Sequence, residues 1–196
     1  MTESIRATPN QLKCDFASLN DVTRRKLADI SLLLMDVDGV LTDGRVIMAD
    51  DGIESKQFST RDGFGLVWVR KYGLKTGVIS GRSSAATEQR CRNLRLDEIH
   101  LGQLKKLPVY QDIVARTKLD ANKIAFVGDD VIDLSVMMKC GISAAPMDAH
   151  DEVLDYVDIV LQRPGGHGAV RRFLDLWLMA TGQWERSLKA VIDGNY

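Results

Sequence analysis

Short apolar runs alternate with longer amphipathic stretches along most of this 196-residue chain. Six of the runs have the length and the content of branched side chains that buried strands have. They span residues 32–35, 76–79, 98–101, 124–127, 142–145 and 159–161. Sustained alternation of such runs with helical stretches is typical of a parallel sheet covered on both faces. The pattern therefore predicts an α/β protein with a doubly wound, Rossmann-like sheet and helices on both faces.

Helices are predicted where apolar residues recur three and four positions apart. Between and after the strands, these stretches span residues 63–72, 84–93, 105–117, 132–139, 150–156 and 169–179. One more helix is predicted over 21–28, where Asn20 or Asp21 can cap the first turn.

The segment 41–58 interrupts this alternation. Its Asp50-Asp51-Gly52 sequence lies between two strand-like stretches, a pattern typical of a β-hairpin with an Asp-Gly turn. We expect this hairpin to protrude from the sheet. The chain then divides into an N-terminal lead-in over 1–29, one α/β domain over 30–182 and a C-terminal tail over 183–196.

Composition and charge exclude several classes of protein. Hydrophobic residues make up 45% of the chain and charged residues 27%, as in ordinary globular proteins. Lys and Arg number 26 and Asp and Glu number 27, so the chain lacks the net positive charge that would attract nucleic acid or an anionic membrane. The longest apolar run, residues 30–35, is far shorter than the roughly 18 residues that a membrane span needs. We therefore expect neither a nucleic-acid nor a membrane partner.

The N-terminus and the cysteines predict a cytoplasmic location. The first residues are polar and acidic, where a signal peptide would have a basic start and an apolar stretch. Cys14, Cys91 and Cys140 are odd in number and widely spaced, which fits reduced thiols better than a disulfide framework or a zinc site.

Polar side chains follow the predicted strands where each strand ends. In open α/β sheets, ligands bind outside the carboxyl ends of the strands, so these side chains are expected to share one rim. Asp36 and Asp38 follow the first sheet strand, and Ser80, Gly81 and Arg82 follow the second. Lys106 comes after the third, and Asp129, Asp130 and Asp133 come after the fourth.

The residue types on this rim favour phosphate chemistry with a metal ion. Asp36, Asp38 and Asp129 would repel one another without a cation, and oxygen ligands select a hard ion such as Mg²⁺. Any one of them alone would more simply be a helix cap or turn residue. A lysine, a hydroxyl and a metal ion together suit a phosphate dianion, which one Asp could attack to form an aspartyl phosphate. A carboxyl two residues further on shares the strand face and can act as general acid and base.

The order of these motifs resembles that of the haloacid dehalogenase-like phosphohydrolases. Asp36-Val-Asp-Gly-Val-Leu-Thr-Asp43 is similar to their nucleophile motif, and Ile79-Ser-Gly-Arg82, Lys106 and Gly128-Asp-Asp-x-x-Asp133 match the other three. The resemblance implies that Asp36 is the nucleophile, Asp38 the general acid and base, and Ser80 and Lys106 the phosphate binders. It also implies that Mg²⁺ is held by Asp36, Asp129 and the backbone carbonyl of Asp38, with Asp133 supporting them.

Over roughly residues 30–180, the resemblance extends to the capless branch that contains 3-deoxy-D-manno-octulosonate 8-phosphate phosphatases. It is visible in the motifs Arg61-Asp-Gly-Phe-Gly65, Gly102-Gln-x-x-Lys106 and Gly165-Gly-x-Gly-Ala-Val-Arg171. The resemblance implies a phosphatase domain over 30–182 with no cap domain, and a homotetramer in which the hairpins build the interface. The glycine-rich segment of one subunit would then close the neighbouring site. The implied substrate-binding residues are Asp38, Ser59, Thr60, Arg61, Asp62, Gly63, Gly81, Arg82, Arg90, Lys106, Asp130, Gly166 and His167.

The function that this resemblance implies is Mg²⁺-dependent hydrolysis of 3-deoxy-D-manno-octulosonate 8-phosphate in lipopolysaccharide biosynthesis. A nine-carbon sugar acid 9-phosphate is an alternative substrate. A receiver-like phosphoacceptor or a non-catalytic phosphate-binding module is a further alternative, although an Asp-x-Asp-Gly motif after the first sheet strand favours the enzyme. His167, Arg172 and Val67 depart from the residues usual in this branch, and we expect these departures to affect substrate contacts.

Overall fold

A computed structural model of the chain describes residues 10–195, so positions 1–9 of the lead-in and Tyr196 of the tail lie outside the described residues. The strands in chain order are β1 (Leu32–Met35), β2 (Ile47–Met48), β3 (Glu54–Ser55), β4 (Lys75–Ile79), β5 (Glu98–His100), β6 (Ile124–Val127), β7 (Ile142–Pro146) and β8 (Ile159–Leu161). Six of them form one parallel sheet in the order β5-β4-β1-β6-β7-β8. The predicted α/β fold is confirmed, and each sheet strand differs from its predicted bounds by at most one residue.

The central strand β1 is apolar on both faces because both faces are covered. All four of its side chains are buried. Leu33 and Met35 belong to the core on one face, and Leu32 and Leu34 belong to the core on the other. This division follows from the alternation of side chains along a strand.

Helices lie on both faces of the sheet. In chain order they are α1 (Gln11–Ser18), α2 (Asp21–Ala28), α3 (Thr60–Val69), α4 (Ala85–Asn93), α5 (Lys106–Thr117), α6 (Leu134–Met137), α7 (Asp151–Tyr156), α8 (Ala169–Ala180) and α9 (Trp184–Ile192). Helices α2, α3 and α8 contribute to one core, and α5, α6 and α7 contribute to the other. None of the helices within residues 10–195 has the combined length and apolar character that crossing a membrane requires.

The chain reverses its direction of winding at β1. From this strand it builds β4 and β5 on one side of the sheet, and it later returns to build β6, β7 and β8 on the other. The loops after β1, β4 and β6 therefore diverge at the carboxyl edge of the sheet and leave a crevice there. Such a switch point is where open α/β sheets bind their ligands.

Two of the predicted helices differ from their predicted bounds by more than one residue. The helix predicted over 63–72 begins at Thr60, because the hydroxyl oxygen of Ser59 accepts the N–H of Asp62 at 3.3 Å and caps the first turn. It ends in a 3₁₀ turn, Arg70–Tyr72. The helix predicted over 132–139 is shorter, since a 3₁₀ turn capped by Asp130 precedes α6.

Two terminal helices that the sequence pattern does not predict pack on α8. The first is α1, which is held by an ion pair of 2.7 Å between Asp15 and Arg172 of α8. The helix after it, α2, was predicted and is capped by Asn20 as expected. Helix α9 brings the Trp184 ring to 6.1 Å from the Trp68 ring. Arg172 thus faces the N-terminal helix, and its position does not support the expected effect on substrate contacts.

The predicted hairpin is present outside the main sheet. Strands β2 and β3 pair antiparallel, and Gly52 has a φ of +82° in the turn, a conformation that glycine adopts without strain. The apolar side chains of Val46, Ile47, Met48 and Ile53 are exposed on this hairpin.

The carboxylate of Asp62 fastens α3 to the start of α8. Its Oδ1 accepts the N–H of Arg171 at 2.6 Å, and its Oδ2 accepts the N–H of Gly168 at 3.2 Å. Burial raises the pKa of this carboxyl, and the two N–H groups oppose the rise. Asp62 therefore satisfies backbone donors that the first turn of a helix leaves without partners.

Replacement of Asp62 by alanine should destabilise the fold. The loss of two charge-assisted hydrogen bonds should lower the free energy of unfolding by about 2–3 kcal/mol, and the melting temperature by roughly 4–10 °C. Thermal and urea unfolding measure both quantities. The control is Asp50→Ala in the exposed hairpin turn, which should change stability by less than about 0.5 kcal/mol. Equal unfolding curves for the two variants would contradict the role of Asp62.

Candidate active site

A cleft of about 260 Å³ opens at the carboxyl ends of β1, β4 and β6. Its lining residues are Asp36, Asp38, Gly44, Ser80, Gly81, Arg82, Leu104, Asp129, Asp130 and Ile132. Seven of these ten were expected at this rim from the sequence. Gly44, Leu104 and Ile132 were not predicted, because they lie in the connecting segments and have no polar side chain to mark them.

The loop after β1 brings Asp36 against Asp129. The backbone N–H of Asp36 donates to the Val127 carbonyl of β6 at 2.9 Å, so the ladder between the strands continues to the carboxylate. Gly39 follows with a φ of +84°, and a Cβ there would overlap the Asp129 carboxylate. A glycine at this point is thus what permits the two acidic loops to approach.

Lys106, the first residue of α5, lies between two of the carboxylates. Its Nζ is 2.8 Å from Asp36 Oδ2 and 2.6 Å from Asp133 Oδ1, and its side chain is fully buried. Burial alone would lower the pKa of this ammonium, but the Asp133 and Asp36 carboxylates outweigh burial and raise it. Lys106 therefore remains positively charged beside Asp36.

Asp133 supports the loop after β6. Its fully buried carboxylate accepts the N–H groups of Asp129 and Asp130 through Oδ2, at 3.1 and 3.4 Å. Its other oxygen is bound to Lys106. Both oxygens are therefore engaged in fixing the loop and the lysine.

The acidic cluster fits a hard divalent cation. Asp36, Asp129 and Asp133 each offer a carboxylate oxygen, and these oxygens all lie within 4.8 Å of one another. Among residues 10–195, the buried Oδ1 of Asp129 has no hydrogen-bond partner. Asp133 accepts three donors, whereas Asp36 accepts one at each oxygen and Asp129 leaves its Oδ1 free. Asp36 and Asp129 are therefore the side chains best placed to hold an ion.

Burial and mutual repulsion shift the pKa values of these carboxyls. Burial, with repulsion from Asp36 and Asp133, raises the pKa of Asp129 to about 8. Burial and Asp133 raise the pKa of Asp36 to about 6, against the attraction of Lys106. A bound cation would favour the ionised forms and reverse both shifts.

The Asp38 side chain contacts a group of charges, of which Glu54 and Lys56 come from the hairpin and Arg82 follows β4. It pairs with Nζ of Lys56, and its Oδ2 lies 3.7 Å from Nε of Arg82. Glu54 joins both cations, at 2.9 Å from Lys56 and 2.7 Å from Arg82. Hydrogen bonds from Lys56 and Arg82 lower the pKa of Glu54. Glu54 and Lys56 were not predicted as site residues, although their spacing of two residues indicates one face of a strand.

The remaining predicted phosphate binder follows β4. The Ser80 side chain is buried in the cleft wall, and its Oγ accepts the N–H of Arg82 at 3.3 Å. Gly81 and the exposed Asp130 line the same cleft. Asp130 also caps the turn before α6 by accepting the N–H of Val131.

The other predicted substrate-binding residues do not line this cleft. Ser59, Thr60, Arg61, Gly166 and His167 line a second cleft of about 250 Å³, which shares no lining residue with the first. The backbone N–H of Gly166 donates to the Val40 carbonyl at 2.9 Å, so the glycine-rich segment packs on the Asp36 loop of its own chain.

Arg90 and Gly63 lie behind the second cleft. The Arg90 guanidinium donates to the Ser59 carbonyl at 3.2 Å and lies 5.7 Å from the centre of the Phe58 ring. A Cβ on Gly63 would overlap this guanidinium. Arg90 therefore packs against the start of α3 in this chain.

Comparison with known proteins identifies relatives of the same architecture. No protein-family model matches the chain. The 3-deoxy-D-manno-octulosonate 8-phosphate phosphatase KdsC of Escherichia coli (strain K12) is 38% identical over 162 residues, which cover 83% of this chain and 86% of that protein. The crystal structure of the phosphatase of that name from Yersinia pestis has a TM-score of 0.82 at 36% identity, and the match covers 84% of this chain and 89% of that one.

A structure of the Moraxella catarrhalis phosphatase of the same name, in complex with magnesium, phosphate and a KDO molecule, has a TM-score of 0.84 at 30% identity. That match covers 86% of this chain and 97% of the other. The resemblance that the sequence motifs indicate is thus confirmed, and the chain belongs to the 3-deoxy-D-manno-octulosonate 8-phosphate phosphatase family of haloacid dehalogenase-like proteins.

Proposed function

We propose that this chain is a Mg²⁺-dependent phosphatase that hydrolyses 3-deoxy-D-manno-octulosonate 8-phosphate to 3-deoxy-D-manno-octulosonate and inorganic phosphate. The observation that carries the proposal is the buried Lys106, paired with Asp36 beside the unpartnered oxygen of Asp129. The names of the relatives from Escherichia coli and Yersinia pestis, and the ligands of the Moraxella catarrhalis structure, support this substrate. The reaction would serve lipopolysaccharide biosynthesis.

Asp36 is the nucleophile in this proposal. One of its oxygens bonds to phosphorus as the bond to the sugar oxygen breaks, which produces an aspartyl phosphate. Asp38 gives its proton to the departing sugar oxygen and then removes a proton from the water that attacks the aspartyl phosphate. Inorganic phosphate leaves, and the Asp36 carboxylate is restored.

Lys106 and Ser80 bind the phosphate oxygens. The ammonium of Lys106 keeps Asp36 ionised and lowers the repulsion between this carboxylate and an approaching phosphate dianion. Mg²⁺, held by Asp36, Asp129 and the backbone carbonyl of Asp38, would neutralise further negative charge on the phosphate. Asp133 keeps Lys106 and the loop of Asp129 in position.

The sugar part of the substrate extends beyond these groups. Gly81, Arg82 and Asp130 line the mouth of the same cleft and are proposed to contact the sugar acid. The guanidinium of Arg82 can bind a carboxylate through paired hydrogen bonds. We assign the residues of the second cleft to a pocket completed between subunits, with Asp62, Gly63 and Arg90 supporting its wall.

A homotetramer is part of this proposal. The exposed apolar side chains of the hairpin, which are Val46, Ile47, Met48 and Ile53, support an interface there. We further propose a cytoplasmic enzyme whose phosphatase domain spans 30–182, between a lead-in over 1–29 and a tail over 183–196.

Phosphate release from a panel of sugar phosphates tests the proposed function. The panel contains eight- and nine-carbon sugar acid phosphates and simple sugar phosphates, each measured with Mg²⁺ and with EDTA. We expect Mg²⁺-dependent release that is fastest from the eight-carbon substrate, and none from an Asp36→Asn variant. Preference for the nine-carbon substrate would keep the chemistry and change the substrate. Absence of Mg²⁺-dependent release from every member would favour a receiver-like or non-catalytic module.

Two adjacent lysines provide a matched pair for the phosphate-binding step. Lys106→Met removes a buried charge that faces Asp36, so kcat/KM should fall by about 10²–10³-fold. Lys105 is exposed immediately before α5, and Lys105→Met should leave kcat/KM unchanged. Circular dichroism checks that both variants are folded. Similar losses from the two substitutions would contradict the assignment of Lys106.

The melting temperature in EDTA and the stabilisation by Mg²⁺ should change with pH in opposite directions. Because the folded-state pKa values of Asp36 and Asp129 are raised to about 6 and about 8, their contribution to stability is lost as pH rises through these values. The melting temperature in EDTA should therefore fall from about pH 5.5 to about pH 8.5. Mg²⁺ binds the ionised carboxylates, so its stabilising effect should increase over this range.

The control for this measurement is Asp129→Asn, which should remove most of the stabilisation by Mg²⁺ above neutral pH. If Mg²⁺ raised the melting temperature equally at both ends of the pH range, the ionisation of Asp36 and Asp129 would not be the source of the stabilisation.

A further inference from the structure

We propose that Lys56, on the hairpin, is a positioning residue for the general acid of the reaction. It holds one oxygen of the Asp38 carboxylate so that the other is left to give its proton to the departing group. The inference rests on the proposed phosphatase function, because that function assigns proton transfer to Asp38.

The first observation is that the two oxygens of Asp38 have different surroundings. Oδ1 is bound by Lys56 Nζ, and the hydroxyl oxygen of Thr42 lies 3.5 Å from it. Oδ2 is buried and has no hydrogen-bond partner within residues 10–195. The Nε of Arg82 lies 3.7 Å away, beyond ordinary hydrogen-bond distance. Leaving a buried carboxylate oxygen unpaired is costly, which points to a partner that arrives with the substrate.

The second observation is that Lys56 is built into the site and is not a surface charge. Its side chain is only 1% exposed, although it comes from a hairpin outside the main sheet. A buried ammonium needs a compensating charge, and Lys56 has two, Asp38 and Glu54. An ordinary exposed ion pair would be mobile and worth little, whereas this one is enclosed.

The Glu54 carboxylate can keep Lys56 in place during the reaction. Its carboxylate is 2.9 Å from Lys56 and is also bound by Arg82 at 2.7 Å. Lys56 therefore keeps one carboxylate partner when Asp38 carries the proton that it will give away. Glu54 and Lys56 therefore form one ion-paired unit that holds Asp38.

The spacing of the two residues makes this arrangement possible. Glu54 lies in β3 and Lys56 follows it by two positions, so both side chains leave the hairpin on the same face. The chain then turns through Phe58 into α3. The short hairpin thus reaches the active site through these two charged side chains.

The dependence of the rate on the leaving group tests this role. kcat/KM is measured with Mg²⁺ for alkyl phosphates and for aryl phosphates whose leaving groups are graded in acidity. This parameter reports the step in which Asp36 is phosphorylated and the leaving oxygen takes a proton. An alkoxide needs that proton, whereas a nitrophenolate does not. In Lys56→Met, we expect kcat/KM to fall by about 10–100-fold for alkyl phosphates and by less than about 3-fold for 4-nitrophenyl phosphate.

Further variants separate positioning from a structural role. Lys56→Arg restores a cation of similar reach and should recover part of the rate on alkyl phosphates. Glu54→Gln should give a smaller loss with the same dependence on the leaving group. The matched control is Lys71→Met, at an exposed lysine after α3, which should behave as the unmodified protein does. The effect on alkyl phosphates should appear in kcat more than in KM.

Four outcomes would overturn the inference. An equal loss on every leaving group would make Lys56 a structural residue, and a rise in KM confined to sugar acid phosphates would make it a substrate ligand. If Lys56→Met does not fold, the test is made with Glu54→Gln. A loss of kcat/KM in that variant that does not depend on the leaving group would refute the positioning role. If the unmodified protein hydrolysed none of these phosphates and none of the sugar phosphates, the proposed function and this inference would both be overturned. That result is recognised before any variant is made.

Discussion

The contact on which the active site depends is the burial of one ammonium among three carboxylates. Lys106 binds Asp36 and Asp133, and Asp129 lies beside them with an unpartnered oxygen. When all three carboxyls are ionised, a single lysine leaves an excess of two negative charges in a poorly solvated place. A divalent cation balances that excess, whereas a second buried lysine would not. The carboxylates that repel one another when no cation is bound therefore favour the binding of a metal ion, and with it a phosphate.

The backbone makes this concentration of charge possible. The parallel sheet brings the ends of β1 and β6 side by side, and Asp36 continues their hydrogen-bond ladder by one residue. Gly39 leaves space for the Asp129 carboxylate, and Asp133 accepts the backbone donors of the loop that presents Asp129. The loops that present these carboxylates are therefore fixed through backbone contacts, which is the preorganisation that electrostatic catalysis requires.

Much of this arrangement could be predicted from the sequence because it depends on local signals. Short apolar runs mark the sheet strands, and parallel strands place the residues after their carboxyl ends on one edge. Asp36, Ser80 and Asp129 meet for that reason. The contact of Lys56 with Asp38 could not be predicted in this way, since it depends on how far the hairpin folds back over the sheet.

Other features that the sequence did not predict also arise from tertiary packing. Helices α1 and α9 are short, and packing against α8 is what stabilises them. Asp62 lies within a motif that the family resemblance links to substrate, yet in this chain both of its oxygens accept N–H groups of the segment that begins α8. The partners in that contact are more than a hundred residues apart in the chain.

The ion pair between Asp15 and Arg172 has an evolutionary consequence. Arg172 stands where the motif resemblance leads one to expect glutamate, and it supports a helix that precedes the sheet. A glutamate at this position would face Asp15 with like charge across a poorly solvated contact and would repel α1. The helix and the arginine therefore form a compensating pair. Within the family, a docked N-terminal helix with an acidic residue at this point should covary with a basic residue at the position of Arg172.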